Sequence, residues 1–107
     1  MNLSALPDQR AATAPDAPAL ADDRVALDNT GFLAAVQRAA STLGEVGVGT
    51  GDVVAVMLPN TADLVVALFA AWRLGAAATP VNPALTAEEI DFQVADAGAK
   101  VLVTDRA

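Results

Sequence analysis

The chain contains no histidine and no cysteine. The first absence removes Ser–His and Cys–His nucleophilic pairs and every imidazole metal ligand. The second removes disulfides, a thiolate nucleophile and thiolate metal sites. Basic residues are scarce as well, 6 against 13 acidic ones, for a net charge of −7. Arg10, Arg24, Arg38, Arg73, Lys100 and Arg106 are too scattered to form the basic stripe that a phosphate backbone requires, which argues against nucleic acid as a partner. Long apolar runs are missing too. The longest, residues 64–72, is far short of the roughly 20 residues that a bilayer span needs. Residues 1–18 have no basic start and are broken by Pro7, Asp8 and Arg10, so they do not read as a signal peptide. The expectation is a cytoplasmic chain without a transmembrane segment.

What the chain does have is alanine, 26 of its 107 residues. Leu, Ile, Val and Phe together make 29, about 27%, above the roughly 20% below which disorder is expected. The chain can therefore fold as one unit, with a thin and alanine-rich core.

The pattern divides into a lead-in, residues 1–27, and a more regular stretch, residues 28–107. In the lead-in, Leu3, Leu6, Arg10 and Ala14 fall at loose helical spacing, and Pro15 and Pro18 end any helix there. Residues 19–27, with the polar Asp22-Asp23-Arg24 at their centre, read as a small β-hairpin. Asp28, Asn29 and Thr30 are all candidate helix N-caps. Phe32, Leu33, Val36, Ala39, Ala40 and Leu43 then share one face at period 3.6, and Gly44, Gly47, Gly49 and Gly51 are expected to stop that helix. Val53-Val54-Ala55-Val56-Met57-Leu58 is a continuous apolar run of strand length, the pattern of a parallel strand buried on both faces.

Pro59 closes the run, and Asn60 or Thr61 is expected to cap a helix over residues 62–74. Its stripe of Leu64, Leu68 and Trp72, with Phe69 beside it, reads as core packing, and Gly75 as its C′ residue. Residues 76–81 form a short strand candidate. Thr86-Ala87-Glu88-Glu89 is a capping box opening a helix that carries Ile90, Phe92, Val94 and Ala97 and ends at Gly98. Residues 100–104 make a final strand. The order from Asp28 is α-β-α-β-α-β, which predicts an α/β fold with a mostly parallel sheet.

No motif in this pattern carries chemistry. Gly47-Val48-Gly49-Thr50-Gly51 follows a helix and precedes a strand, the reverse of a dinucleotide fingerprint, and its spacing is Gly-x-Gly-x-Gly. It reads as a turn. Asp22-Asp23 and Glu88-Glu89-Asp91 fall in a predicted turn and in the first turn of a capped helix, settings that explain surface carboxylates without a metal. Ligands of α/β sheets bind beyond the carboxyl ends of the strands, here Pro59-Asn60, Asn82-Pro83 and Thr104-Asp105. No catalytic, cofactor-binding or metal-ligating residue is assigned in this chain.

One ordered set of segments is more specific. The stretch from Gly47 through Gly49-Thr50-Gly51-Asp52 to Pro59-Asn60 resembles the early part of AMP-forming acyl-CoA synthetases. Leu64 to Leu74, Gly75-Ala76, Pro80-Val81-Asn82-Pro83-Ala84-Leu85-Thr86-Ala87-Glu88-Glu89 and Asp96-Ala97-Gly98-Ala99-Lys100-Val101-Leu102-Val103-Thr104-Asp105 continue it. The wider family is the adenylate-forming superfamily, with acyl- and aryl-CoA ligases, luciferases and adenylation domains. The resemblance implies a ligase of fatty acid metabolism or its aryl counterpart, which activates a carboxylic acid with ATP and Mg²⁺ and passes it to CoA. It also implies that the phosphate loop and catalytic Lys of that family lie downstream, so residues 1–107 would be an incomplete N-terminal subdomain, inactive alone. Its partner would be the rest of the synthetase chain, or another copy through apolar surface left uncovered around residues 64–72. The alternatives are a free-standing flavodoxin-like or receiver-like module, and a truncated partner of an intact synthetase.

Overall fold

The computed structural model describes residues 3–105. Met1, Asn2, Arg106 and Ala107, and with them the start of the lead-in and the last of the scattered bases, lie outside the described residues. A 3₁₀ turn, Leu3–Ala5, passes into helix α1, Leu6–Thr13. Pro7 sits buried in the first turn of α1, where its missing donor is no loss. Strands β1 (Pro18–Ala21) and β2 (Ala26–Asp28) then pair antiparallel, with an irregular register between Pro18 and Leu20.

Helix α2, Asn29–Glu45, shows how three adjacent cap candidates divide the work. The Asp28 carboxylate accepts from the Gly31 amide at 2.7 Å and is the true cap. Asn29 is buried and donates its Nδ2 to the Ala14 carbonyl at 2.8 Å, while the Thr30 hydroxyl donates to the Pro15 carbonyl at 3.1 Å. These two side chains fasten the end of α1 to the start of α2. Phe32, Val36, Ala40 and Leu43 face inward as the spacing predicts. Gly44 does not stop the helix: it lies in the last turn, and the chain reverses at Gly47, whose φ of +93° only glycine adopts readily.

The remaining elements are β3 (Val53–Met57), α3 (Ala62–Arg73), β4 (Ala77–Pro80), α4 (Ala87–Asp96) and β5 (Val101–Thr104). The three strands form a parallel sheet in the order β4-β3-β5. The chain steps from β3 outward to β4, then back past β3 to β5. Right-handed crossovers in opposite directions place their helices on opposite faces. Accordingly Val54 and Val56 of the central strand pack with α2 and α3 on one side, and Ala55 and Met57 pack with Ile90 of α4 on the other. This double burial is what the unbroken apolar run anticipates.

Leu64, Leu68 and Phe69 of α3 pack against the core as expected, though they are not its most buried residues, while the expectation of an uncovered face there needs correction. Large residues of α3 do not form its buried face: Ala62, Val66, Ala67, Ala70 and Ala71 do, while Leu64, Leu68, Phe69 and Trp72 are only half-buried. Small side chains let the helix approach the sheet closely, and the bulky ones fill the space between α3 and its neighbours. Leu64 and Leu68 join the sheet cluster; Val65 and Phe69 pack with Phe32, Val36, Leu20 and Leu27. The face expected to lie uncovered around residues 64–72 is thus covered in part by α2 and the hairpin. Among the described residues the exposed large apolar side chains are Val25, Val46 and above all Phe92, 70% exposed on α4, where Ile90 alone is buried. Among the described residues no helix is long and apolar enough to cross a membrane.

Candidate functional site

In a sheet wound this way the ligand-binding position is the crevice beyond the carboxyl ends of the strands, where the winding reverses. Here that position lies after β3 and β5, with Pro59-Asn60 and Thr104-Asp105 at its edges. A helix N-terminus at such a place is a ready anion site, because its first amides have no partner within the helix. The first amide of α3 is already engaged. Asp22, at the tip of the β1–β2 hairpin, reaches across and accepts the Ala62 amide on Oδ2 at 2.7 Å. Its Oδ1 accepts the Arg24 and Val25 amides at 2.8 and 2.9 Å. The Ala62 amide foremost, then those of Arg24 and Val25, hold the Asp22 carboxyl below its ordinary range.

Asp22 therefore takes the role expected of Asn60 or Thr61. Thr61 occupies the N-cap position but its side chain makes no capping bond; its hydroxyl donates to the Pro59 carbonyl at 3.3 Å. The turn residues around Asp22, together with Asn60 and Thr61, line an open cavity of about 320 Å³. After β4, Asn82 folds back on its own chain, its Oδ1 accepting the Ala84 amide at 2.9 Å.

The glycine-rich segment is satisfied from within as well. The Gly49 amide donates to Asp52 Oδ2 at 2.8 Å, and Lys100 Nζ lies 3.5 Å from the same oxygen. Gly51 donates its amide to the Gly75 carbonyl at 3.2 Å. The segment is a turn docked on the α3–β4 junction, as its sequence context predicts, and the sole lysine is engaged by a carboxylate. Glu89 and Thr86 complete the capping box, at 2.9 and 3.2 Å. The Thr86 amide, helped by its hydroxyl, holds the Glu89 carboxyl below its ordinary range. Glu88 and Asp91 are exposed on the same helix. Among the described residues no group of three or more His, Cys, Asp or Glu side chains could hold a metal ion.

Three of the four aromatic side chains form a ladder. Phe69 meets Phe32 edge-to-face at 5.4 Å and Trp72 at 5.0 Å. Phe32 and Phe69 face a cavity of about 210 Å³ bounded by α1, the hairpin, α2 and α3, with Arg10 on its wall. The sequence places Arg10 at helical spacing in the lead-in and among the scattered bases, with no binding role. Its signal was the placement of Leu6, Pro7 and Arg10 on one side of a short helix. The reach of Asp22 had no local signal at all, since its partner is 40 positions away.

Comparison with known proteins adds an independent line. Residues 7–107 match the family described as AMP-binding enzyme. The chain is 42% identical over 99 residues to 4-coumarate–CoA ligase 2 of Oryza sativa subsp. japonica, covering 89% of this chain and 17% of the relative. Its structure is similar to the N-terminal domain of FACL13 from Mycobacterium tuberculosis, with a TM-score of 0.91 at 31% identity, covering 97% of this chain and 27% of the other. It is also similar to the O-succinylbenzoate coenzyme A synthetase of Bacillus subtilis solved with ATP and a magnesium ion, with a TM-score of 0.86 at 34% identity over 94% of this chain and 27% of that one. The chain spans 13 to 17% of the length of curated CoA ligases that it matches.

Proposed function

The chain belongs to the AMP-binding enzyme family, and from that premise we propose that it is the N-terminal scaffold of a cytoplasmic carboxylic acid–CoA ligase. In that reading the whole enzyme joins a fatty or aryl acid to CoA at the expense of ATP, with Mg²⁺ on the phosphates. The observation that carries it is the TM-score of 0.91 over 97% of this chain with a domain of a mycobacterial FACL13. Neither a receiver nor a flavodoxin is the family matched.

The residues present here do not fit ATP. The first amide of the helix at the sheet's carboxyl edge is taken by the negatively charged Asp22, and the sole lysine is engaged by Asp52. What these residues supply is a rigid layer: a central strand buried on both faces, with β4 and β5 as the outer strands of the sheet. Outer strands of this kind accept further strands, and the rest of the ligase chain is the partner this reading assigns to them.

The test is acid-dependent exchange of pyrophosphate into ATP, followed by CoA thioester formation. A polypeptide that carries residues 1–107 joined to the remainder of a family member is expected to be active, and the 107-residue chain silent. Pyrophosphate release by the short chain alone would overturn the reading.

A further inference from the structure

We propose that the cavity between α1, the hairpin, α2 and α3 binds a short apolar carboxylate, with its tail among Leu20, Phe32, Val65 and Phe69 and its carboxylate on Arg10. Apart from Arg10 and Asn29, the walls are apolar side chains drawn from four elements that meet only in the folded chain. They are held apart by polar ties. Arg73 at the end of α3 pairs with Asp8 of α1 at 2.7 Å, and Asn29 holds the Ala14 carbonyl at 2.8 Å. The edge-to-face contact of Phe32 and Phe69 fixes two of the rings. Such a preformed apolar cavity with one or two polar groups on its rim is the usual form of a small-molecule site.

Arg10 gives the ligand its sign. Arg73 and Lys100 each have a carboxylate partner; Arg10, like Arg24 and Arg38, pairs with no carboxylate among the described residues, and of these three it alone lines this cavity. A guanidinium is the side chain best matched to a planar carboxylate. Size gives the length. At about 210 Å³ the cavity is smaller than the roughly 300–1,000 Å³ of drug-sized ligand pockets, so the tail is short. This inference does not rest on the ligase reading: every wall residue belongs to this chain, and the test contains neither ATP nor CoA.

Trp72 is the only tryptophan and stacks edge-to-face on Phe69 at 5.0 Å, so its fluorescence reports on the cavity. The 107-residue chain is titrated with hexanoate, hexan-1-ol and hexylamine. The expected result is a saturable change with hexanoate, half-complete on the order of 1 mM, with the alcohol about tenfold weaker and the amine weaker still. Arg10→Gln is expected to abolish the preference for hexanoate over hexan-1-ol. Val65→Phe, which fills the cavity, is expected to weaken hexanoate at least tenfold while leaving the circular dichroism of the chain unchanged. The proposal is overturned if hexanoate gives no saturable change, if the alcohol binds as well as the acid, or if neither substitution alters the titration.

Discussion

Asp22 Oδ2 and the Ala62 amide lie 2.7 Å apart, joined across 40 positions of sequence. A hairpin tip thereby caps the helix that follows the central strand, and the lead-in is wired to the sheet by a hydrogen bond that only the folded chain can form.

Removing that bond should be felt at a distance. Asp22→Ala is expected to lower the midpoint of thermal unfolding by several degrees, because the Arg24, Val25 and Ala62 amides lose their acceptor together. Asp22→Asn should fall between, since its amide oxygen still accepts. Thr61→Ala should be near neutral, as its hydroxyl serves only the Pro59 carbonyl. Melting curves followed by circular dichroism decide it, and equal midpoints for Asp22→Ala and the parent chain would refute the capping role.

The same carboxylate sets an acid limit. Asp22 and Glu89 both have folded pKa values below their ordinary 3.8 and 4.5. For a depressed acid, the stabilisation is complete above the unfolded pKa and is lost as pH falls through the folded one. Stability should therefore be flat from neutrality down to about pH 5 and decline below the ordinary carboxylate range. Asp22→Asn and Glu89→Gln should each flatten that decline. Denaturant unfolding at a series of pH values measures it; a decline unchanged in the double variant would assign it to other carboxylates.

Two glycine-to-alanine substitutions should act in opposite directions. Gly75 has a φ of +79°, and an added Cβ would lie 2.8 Å from Thr50 Oγ1. Gly75→Ala is expected to cost about 1–3 kcal/mol. Gly44 sits inside α2, where an added Cβ meets nothing within 4 Å. Gly44→Ala should stabilise by about 0.5–1 kcal/mol. Urea titrations of the two variants test the contrast.

The alanine face of α3 makes a prediction about size. Ala70 and Ala71 are fully buried. Ala70→Leu should destabilise by about 1–3 kcal/mol despite its greater hydrophobicity, because the helix would have to move off the sheet. Phe92→Ser, on the exposed side of α4, should change stability little and improve solubility. A gain in stability from Ala70→Leu would show that the alanine face is loosely packed.

Sequence alone determined the order of elements, the double burial of Val54 through Met57, the capping box at Thr86 and the turn at Gly47 to Gly51. Each of these is a local matter: a period of residues, a cap three positions from its partner, a glycine where φ is positive. Tertiary structure decided the rest. Which of Asp28, Asn29 and Thr30 caps α2 depended on where the Ala14 and Pro15 carbonyls came to lie. Which face of α3 is buried depended on how near the sheet a helix can approach, a distance that favours alanine over the larger residues a hydrophobic stripe suggests. The cap of α3 and the cavity beside Arg10 are made of groups far apart in the chain, and no local periodicity encodes the distance between them.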